Sequence, residues 1–319
     1  MHIKGRLKPA EAGVPASAGR RPRSLRRHRL RVGLLFVSPW LLGFAAFFLY
    51  PFLATLYYSF TNFDGIGNAH IIGFANYSAL FHDSLFRTAL FNTLYYTACE
   101  LPLSTIVALG LALLLNMNVR GRTIYRTLFY IPSIVPIVAS CMIFVWLFNP
   151  TSGIVNSLLS GLHVPGPDWF FSMAWSKPSF IILGLWGLGQ PMVIYLAGLQ
   201  GVPTELYEAA SLEGAGPWHR LRHVTIPMIS PIILFNLVLQ LVLCVSYFTQ
   251  AQVIESQDVG GPGNSTWFFV QYLYEQAFQF LKFGYASAMG FFLFIITGLI
   301  TLVLFKSSSR WVYYAGESN

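Results

Sequence analysis

Acidic side chains are scarce in this sequence, twelve Asp and Glu in 319 residues, and only 10% of all positions are charged. A soluble domain carries roughly a quarter charged residues, so the scarcity argues against a water-facing surface over most of the chain. Cysteine is equally sparse: Cys99, Cys141 and Cys244 each sit inside an apolar run, and none has CxxC spacing. That excludes a zinc ribbon or disulfide framework and leaves three small packing residues. No GxxxxGK[ST] occurs, because GGPGNST at 260–266 lacks the lysine, so this chain does not cradle a nucleotide through a P-loop. No Ser-His-Asp or paired-carboxylate set can be assembled into one site, and no catalytic residue is assigned.

What is present is apolar surface. Hydrophobic residues make up 55% and aromatics 16%, with a mean hydropathy of +0.57, more than a chain of this length buries in its own core. A membrane span needs about 20 mostly apolar residues at 1.5 Å rise each. Six stretches qualify, at approximately 32–60, 88–116, 124–148, 178–200, 228–251 and 285–305, and lipid forces each to be helical. The first is longer than a signal-peptide core and ends without a small-residue cleavage pattern, so it is read as a retained span. No repeat of 20 to 50 residues is evident.

Orientation follows from the basic residues. Ten of the twenty Lys and Arg fall in residues 1–31, mostly in the run RRPRSLRRHRLR. The net charge of +8 therefore reflects a tail, and nucleic acid is not an expected partner. With the N-terminus in the cytoplasm, seventeen basic residues lie inside and only Arg87, Lys177 and Lys282 outside. The positive-inside rule then places both termini in the cytoplasm. The resulting division is a basic tail at 1–31, a six-span domain at 32–306 and a C-terminal tail at 307–319. Loops 61–87, 149–177 and 252–284 face outward.

One cytoplasmic loop breaks the apolar pattern: PTELYEAASLEGAGPWHRLRHVTIP at 203–227. Thr204 can cap a short helix whose first turns carry Glu205 and Glu208, Gly214 can end it, and Gly216-Pro217 can begin a second. By itself this admits an interfacial helix with Arg and Trp at the headgroups. Tethers to spans on both sides argue against a DNA-reading helix pair. His219 and His223 lack an evident third ligand for a metal.

Glu208-Ala209-Ala210, three residues, Gly214, nine residues, then Val224-Thr225-Ile226-Pro227 resembles the EAA loop of binding-protein-dependent ABC importer permeases. The segments YPFLATLYYSFTNFDG, RGRTIYRTLFYIP, WLFNP, LAGLQGVPTELYEAA and GGPGNST resemble the carbohydrate branch of that family, the relatives of maltose-importer and multiple-sugar permeases. The segment between Phe248 and GGPG is about three residues longer than the usual pattern, which leaves the outer end of the fifth span open. The resemblance implies an all-α membrane protein with the importer permease fold, on a bacterial or archaeal cytoplasmic membrane. It implies that Glu208, Ala209, Ala210, Gly214 and Pro227 form a coupling element gripped by an ATPase. It also implies a second permease, two ATPase subunits that bind ATP-Mg, an extracytoplasmic solute-binding protein and a sugar as solute, with no cofactor in this chain.

A polar solute needs hydrogen-bonding and aromatic groups inside the bundle. The fourth span offers Trp186, Gln190 and Tyr195, and the fifth Asn236, Gln240, Ser246 and Tyr247, with Gln240, Cys244 and Tyr247 on one helical face. In maltose-type relatives the sugar site lies on the corresponding spans. That points to Gln190, Gln240 and Tyr247, with Trp186 and Cys244 behind them, though the same residues would serve to hold helices together. Glu100, in the second span, is either a packing residue beside Pro102 or part of the solute path. A permease for a glycerol-phosphate ester, or a stand-alone proton-coupled carrier or membrane enzyme using Glu100, are the other functions these residues admit.

Overall fold

A computed structural model describes residues 23–117, 120–255 and 259–313. The part of the basic tail before residue 23 and the C-terminal tail beyond residue 313 lie outside them. The described chain is helical, with one isolated antiparallel bridge, Thr61–Ile71. It divides into two compact units, Met1–Ala54 and Thr55–Asn319. In the first, α1 (Arg23–Phe44) passes through a widened turn at Ala45–Leu49 into α2 (Tyr50–Ser59). There the Tyr50 N–H reaches back five residues to the Ala45 carbonyl. Pro51 follows at once, and a ring without an N–H is accommodated by such a bulge. Trp40, Phe44 and Phe48 stack along α1 and this turn at 5.5 and 6.0 Å.

The second unit contains α3 (Ala75–His82), α4 (Ser84–Asn116), α5 (Arg122–Tyr130), α6 (Ile137–Leu147), α7 (Ile154–Gly161), α8 (Ser176–Trp186) and α9 (Gly189–Gln200). It continues with α10 (Thr204–Leu212), α11 (Pro217–Arg220), α12 (Ile226–Val245), α13 (Thr249–Ile254), α14 (Phe269–Tyr274) and α15 (Phe283–Ser308). Among the described residues, four helical stretches are long and apolar enough to cross a membrane: Val32–Ser59, Ser84–Asn116, Pro217–Ile254 and Phe283–Ser308. Counting each of two bent pairs as one span raises the number to six.

Those bent pairs fall on 124–148 and 178–200, each read from the sequence as one helical span. Residues 122–134 and 137–147 meet at 98°, and Ser176–Trp186 meets Gly189–Gln200 at 51°. Pro132 and Pro136 flank the first break, and Pro136, the cap of α6 at φ −54 and ψ 136, has no N–H with which to continue the preceding helix. Gly187 and Gly189 bracket the second.

The long helix α4 runs through the middle, packed against α8, α9 and α12. Small residues allow this: Ala108 and Ala112 are fully buried against Met192, Leu196 and Ile229. Its N-terminal part is pinned by hydrogen bonds across large sequence separations. The Asn92 amide donates to the carbonyls of Asn264 and Trp267 at 2.9 and 3.1 Å, and the Phe269 N–H donates to Thr93 Oγ1 at 2.8 Å. These bonds fix the GGPGNST segment, where Thr266 is buried and its hydroxyl donates to the Glu255 carboxylate. The Asn264-Ser265-Thr266 triplet is thus part of a packed turn.

Asp83 caps α4 with one oxygen, which accepts from the Leu85 and Phe86 N–H groups at 2.9 and 3.3 Å. Its other oxygen accepts from the hydroxyls of Tyr272 and Tyr285 at 2.5 and 2.7 Å. Burial pushes the carboxyl up, but the two hydroxyls and two amides outweigh it and hold Asp83 below the usual carboxylate range. A lowered folded-state value contributes stability above the unfolded value and loses it as pH falls through the folded one. Replacing Asp83→Ala is expected to cost about 1–3 kcal/mol and to flatten the acid limb of thermal stability below about pH 4. Unfolding midpoints of wild type and variant in lipid nanodiscs across that range check both.

Candidate functional site

Both breaks open onto one cavity. Ser133, in the turn between α5 and α6, donates from Oγ to the Gly187 carbonyl at 3.1 Å, a backbone acceptor that the break between α8 and α9 frees. Gly189 makes the close approach possible, since a Cβ there would sit 2.5 Å from Ser133 Oγ and 2.8 Å from Tyr130 Cα. Pro132, Ser133, Gly187 and Leu188 then line a cavity of about 420 Å³ together with residues of α4 and of the outer part of α12. Irregular backbone at such a place is tolerated because it faces a cavity and not lipid.

All six residues predicted for the path line this space: Glu100, Trp186, Gln190, Gln240, Cys244 and Tyr247. Gln190 and Trp186 are exposed to it, Gln240 is half-buried, and Cys244 and Tyr247 are buried at its wall. The sequence argument placed Tyr247 on the same helical face as Gln240 and Cys244, but α12 ends at Val245 and Tyr247 lies in the turn before α13. It reaches the cavity because its ring packs on Tyr96 at 4.4 Å, Phe268 at 5.0 Å and Phe180 at 5.8 Å. Tyr195 and Asn236 do not join them: Tyr195 is packed with Met192 and Leu196, and the Asn236 amide donates to its own helix at Ile232 O.

Sequence reasoning missed Tyr96, Ser133, Ser140, Thr249 and Gln250, which also line the cavity. Tyr96 was within reach, one turn before Glu100 on α4. The serines depend on the break between two prolines, for which IPSIVP was the available signal.

Glu100 is the unusual member. It is 4% exposed, its Oε2 has no hydrogen-bond partner, and its Oε1 faces Gly184 of α8, where a Cβ would lie 2.5 Å away. The same Cβ would stand 3.0 Å from the Tyr96 hydroxyl. No Lys, Arg, His or Asp lines the cavity among the described residues.

The loop at 203–227 is built as a rigid corner. Thr204 is the first helical residue of α10 and Pro203 its cap, one position earlier than the sequence reading. Gly214 has φ +78, and the N–H groups of Gly214 and Ala215 donate to Ser211 O and Ala210 O at 3.0 and 2.9 Å. This is the Schellman closure for which a left-handed glycine is suited. Two side-chain links then bind the corner to the next helix, Tyr207 hydroxyl with Thr225 Oγ1 at 3.0 Å and Arg220 Nη1 to Ser211 Oγ at 3.1 Å. Glu208, Ala209 and Gly214 are exposed, Ala210 half-buried, and Leu212 and Trp218 project with 91% and 72% exposure.

The second helix of the loop is not a separate element, as the sequence suggested. α11 runs through a widened turn at Leu221–Thr225 into α12, making one helix from Pro217 to Val245. Ile226 N–H bonds back five residues to Leu221 O, the bulge that lets Pro227 sit just inside α12 without breaking it. His219 and His223 stack at 4.0 Å on its surface, and among the described residues no group of three His, Cys, Asp or Glu is placed to hold a metal ion.

Residues 101–315, which include both breaks, the loop and most of the cavity wall, match the family model described as binding-protein-dependent transport system inner membrane component. The chain belongs to this family. As a whole, this permease is 38% identical over 308 residues to the probable ABC transporter permease protein YesP of Bacillus subtilis (strain 168), covering 96% of this chain and 99% of that one. It is 31% identical over 313 residues to the arabinooligosaccharides transport system permease protein AraP of the same organism, covering 96% and 99%. In fold it is similar to a chain in the crystal structure of a bacterial alginate ABC transporter in complex with an alginate pentasaccharide-bound periplasmic protein, with TM-score 0.78, 24% identity and coverage of 90% and 96%. The permease is a transport subunit of a multi-pass membrane assembly and not an enzyme.

Gly184→Ala is expected to destabilise the permease by about 1–3 kcal/mol through overpacking against Glu100 and Tyr96. The double variant Gly184→Ala/Glu100→Ala is expected to lose less than the sum of the single changes, since the added methyl then has room. Thermal unfolding of the four proteins in nanodiscs measures the coupling.

Proposed function

We propose that the chain is the transmembrane subunit of an ATP-driven sugar importer, contributing half of the solute path by alternating access. The observation that carries this reading is the continuous helix from Pro217 to Val245. One end lies in the cross-linked loop, and the other carries Gln240 and Cys244 into the cavity wall. A displacement of the loop is passed along a hydrogen-bonded rod to the residues that face the solute, with no flexible segment to absorb it.

In this reading α10 is the element gripped from the cytoplasm. Glu208 meets a basic group of an ATPase subunit, Ala209 and Ala210 allow close approach, and Gly214 and Pro227 shape the corner and its entry into the span. ATP and Mg²⁺ are bound by two such ATPase subunits. A second permease of similar fold completes the path, and an extracytoplasmic binding protein delivers the sugar to the outer loops. Both tails, 1–31 and 307–319, are cytoplasmic, supported by the seventeen of twenty Lys and Arg that this orientation puts inside. Gln190, Gln240 and Tyr247 offer the hydrogen bonds and Trp186 the aromatic face that a sugar requires.

Glu208→Lys and Gly214→Pro are each expected to lower sugar uptake by at least tenfold while the chain still inserts, and to stop ATPase subunits co-purifying with it. Uptake and pull-down from membranes carrying equal amounts of each variant test this. Undiminished uptake in cells without the ATPase would refute the reading.

A further inference from the structure

We infer that Glu100 is the specificity-determining residue of the cavity, giving its unpartnered carboxyl oxygen to a hydroxyl or ammonium group of the solute and so selecting uncharged and amino sugars against anionic ones. This rests on the proposal that the cavity is the solute path. A carboxyl in the middle of an apolar helix is expensive, and where its role is packing it is satisfied by neighbours. Here Oε2 has no partner although the residue is 4% exposed. The facing helix is cut back to glycine at position 184, where even a methyl would press on Oε1. The fold therefore fits closely round this group, which stands in the cavity wall with one oxygen buried and unpartnered.

The rest of the lining fits the same class of solute. Gln190, Gln240 and Gln250 each supply donors and acceptors, and Trp186 supplies an apolar face. No Lys, Arg or His among the described residues lines the cavity, so a carboxylate, phosphate or sulfonate entering it would be desolvated with no counter-charge on this chain. A hydroxyl finds a partner in Glu100 whether the carboxyl is ionised or protonated, because the first form accepts and the second both donates and accepts. An ammonium group gains further from the ionised form.

The test uses the intact importer in nanodiscs without its binding protein, so that only the membrane path discriminates. Equilibrium binding is measured for three matched probes: cellobiose, the glucosamine disaccharide and digalacturonate. In wild type the two non-anionic probes are expected to bind at least tenfold more tightly than digalacturonate. Glu100→Gln is expected to keep cellobiose within a few-fold and to abolish the advantage of the glucosamine disaccharide over it. Glu100→Leu is expected to weaken both non-anionic probes by at least tenfold, with the ATPase subunits still attached. An unchanged ranking in both variants, while Gln190→Ala and Gln240→Ala weaken binding, would overturn the inference and leave the cavity reading standing. Insensitivity of binding to all four substitutions would overturn both.

Discussion

In hydrocarbon every backbone N–H and C=O must find a partner inside the protein, so a helix can be interrupted only where another segment or a water-filled space takes over its bonds. The rest of this permease depends on how that constraint is met at two points. The turn at 131–136 and the turn at 187–188 would each leave free backbone groups in a straight bundle. They are placed against one another, and Ser133 bonds to the freed Gly187 carbonyl. The meeting requires Gly189, and the space left beside it is the cavity. The polar wall of the cavity is thus a consequence of breaking two helices together.

The unbroken helices have the opposite task. α4 holds position: its small residues seat α9 and α12, and its outer side chains tie down segments more than 170 positions away. The helix from Pro217 to Val245 runs unbroken from the loop to the cavity wall, and two local devices shape its start. The bulge at Leu221–Thr225 absorbs Pro227 without ending the helix, and the Schellman corner at Gly214 lets α10 fold back on it. The Tyr207–Thr225 and Arg220–Ser211 bonds then make the corner move as one body.

Much of this was legible in the sequence, for identifiable reasons. Apolar runs of span length have one structural answer in lipid, which gave the helices. A left-handed glycine just past a short helix leaves few options, so the end of α10 at Gly214 was readable to the residue. The residues named for the path, which line the cavity, were singled out because amides and aromatics are conspicuous in otherwise apolar spans. What stayed hidden was geometry between segments. Pro132 and Pro136 announce a break, but not its angle of 98°. Periodicity put Tyr247 on the face of Gln240, whereas the helix stops two residues short and ring packing alone brings it there. The continuity of α11 with α12 depends on a bulge, and local glycine and proline signals suggest a stop at the same place.

The distribution of bond types across the molecule bears on how such a body opens. The end at the start of α4 is held by directional bonds: Asp83 with two tyrosines, Asn92 with two carbonyls, Glu255 with Thr266. Between that end and the cavity lies a cluster of rings, Tyr96, Phe180, Tyr247 and Phe268, in mutual edge and tilted contact. Directional bonds are lost outright when their partners shift by an ångström, whereas ring contacts can slide from one tilted arrangement to another at small cost. The seam of least resistance between the cavity and that end therefore runs through the rings. Two of them, Tyr96 and Tyr247, are themselves part of the cavity wall, so a shift of these rings alters the seam and the cavity surface at once.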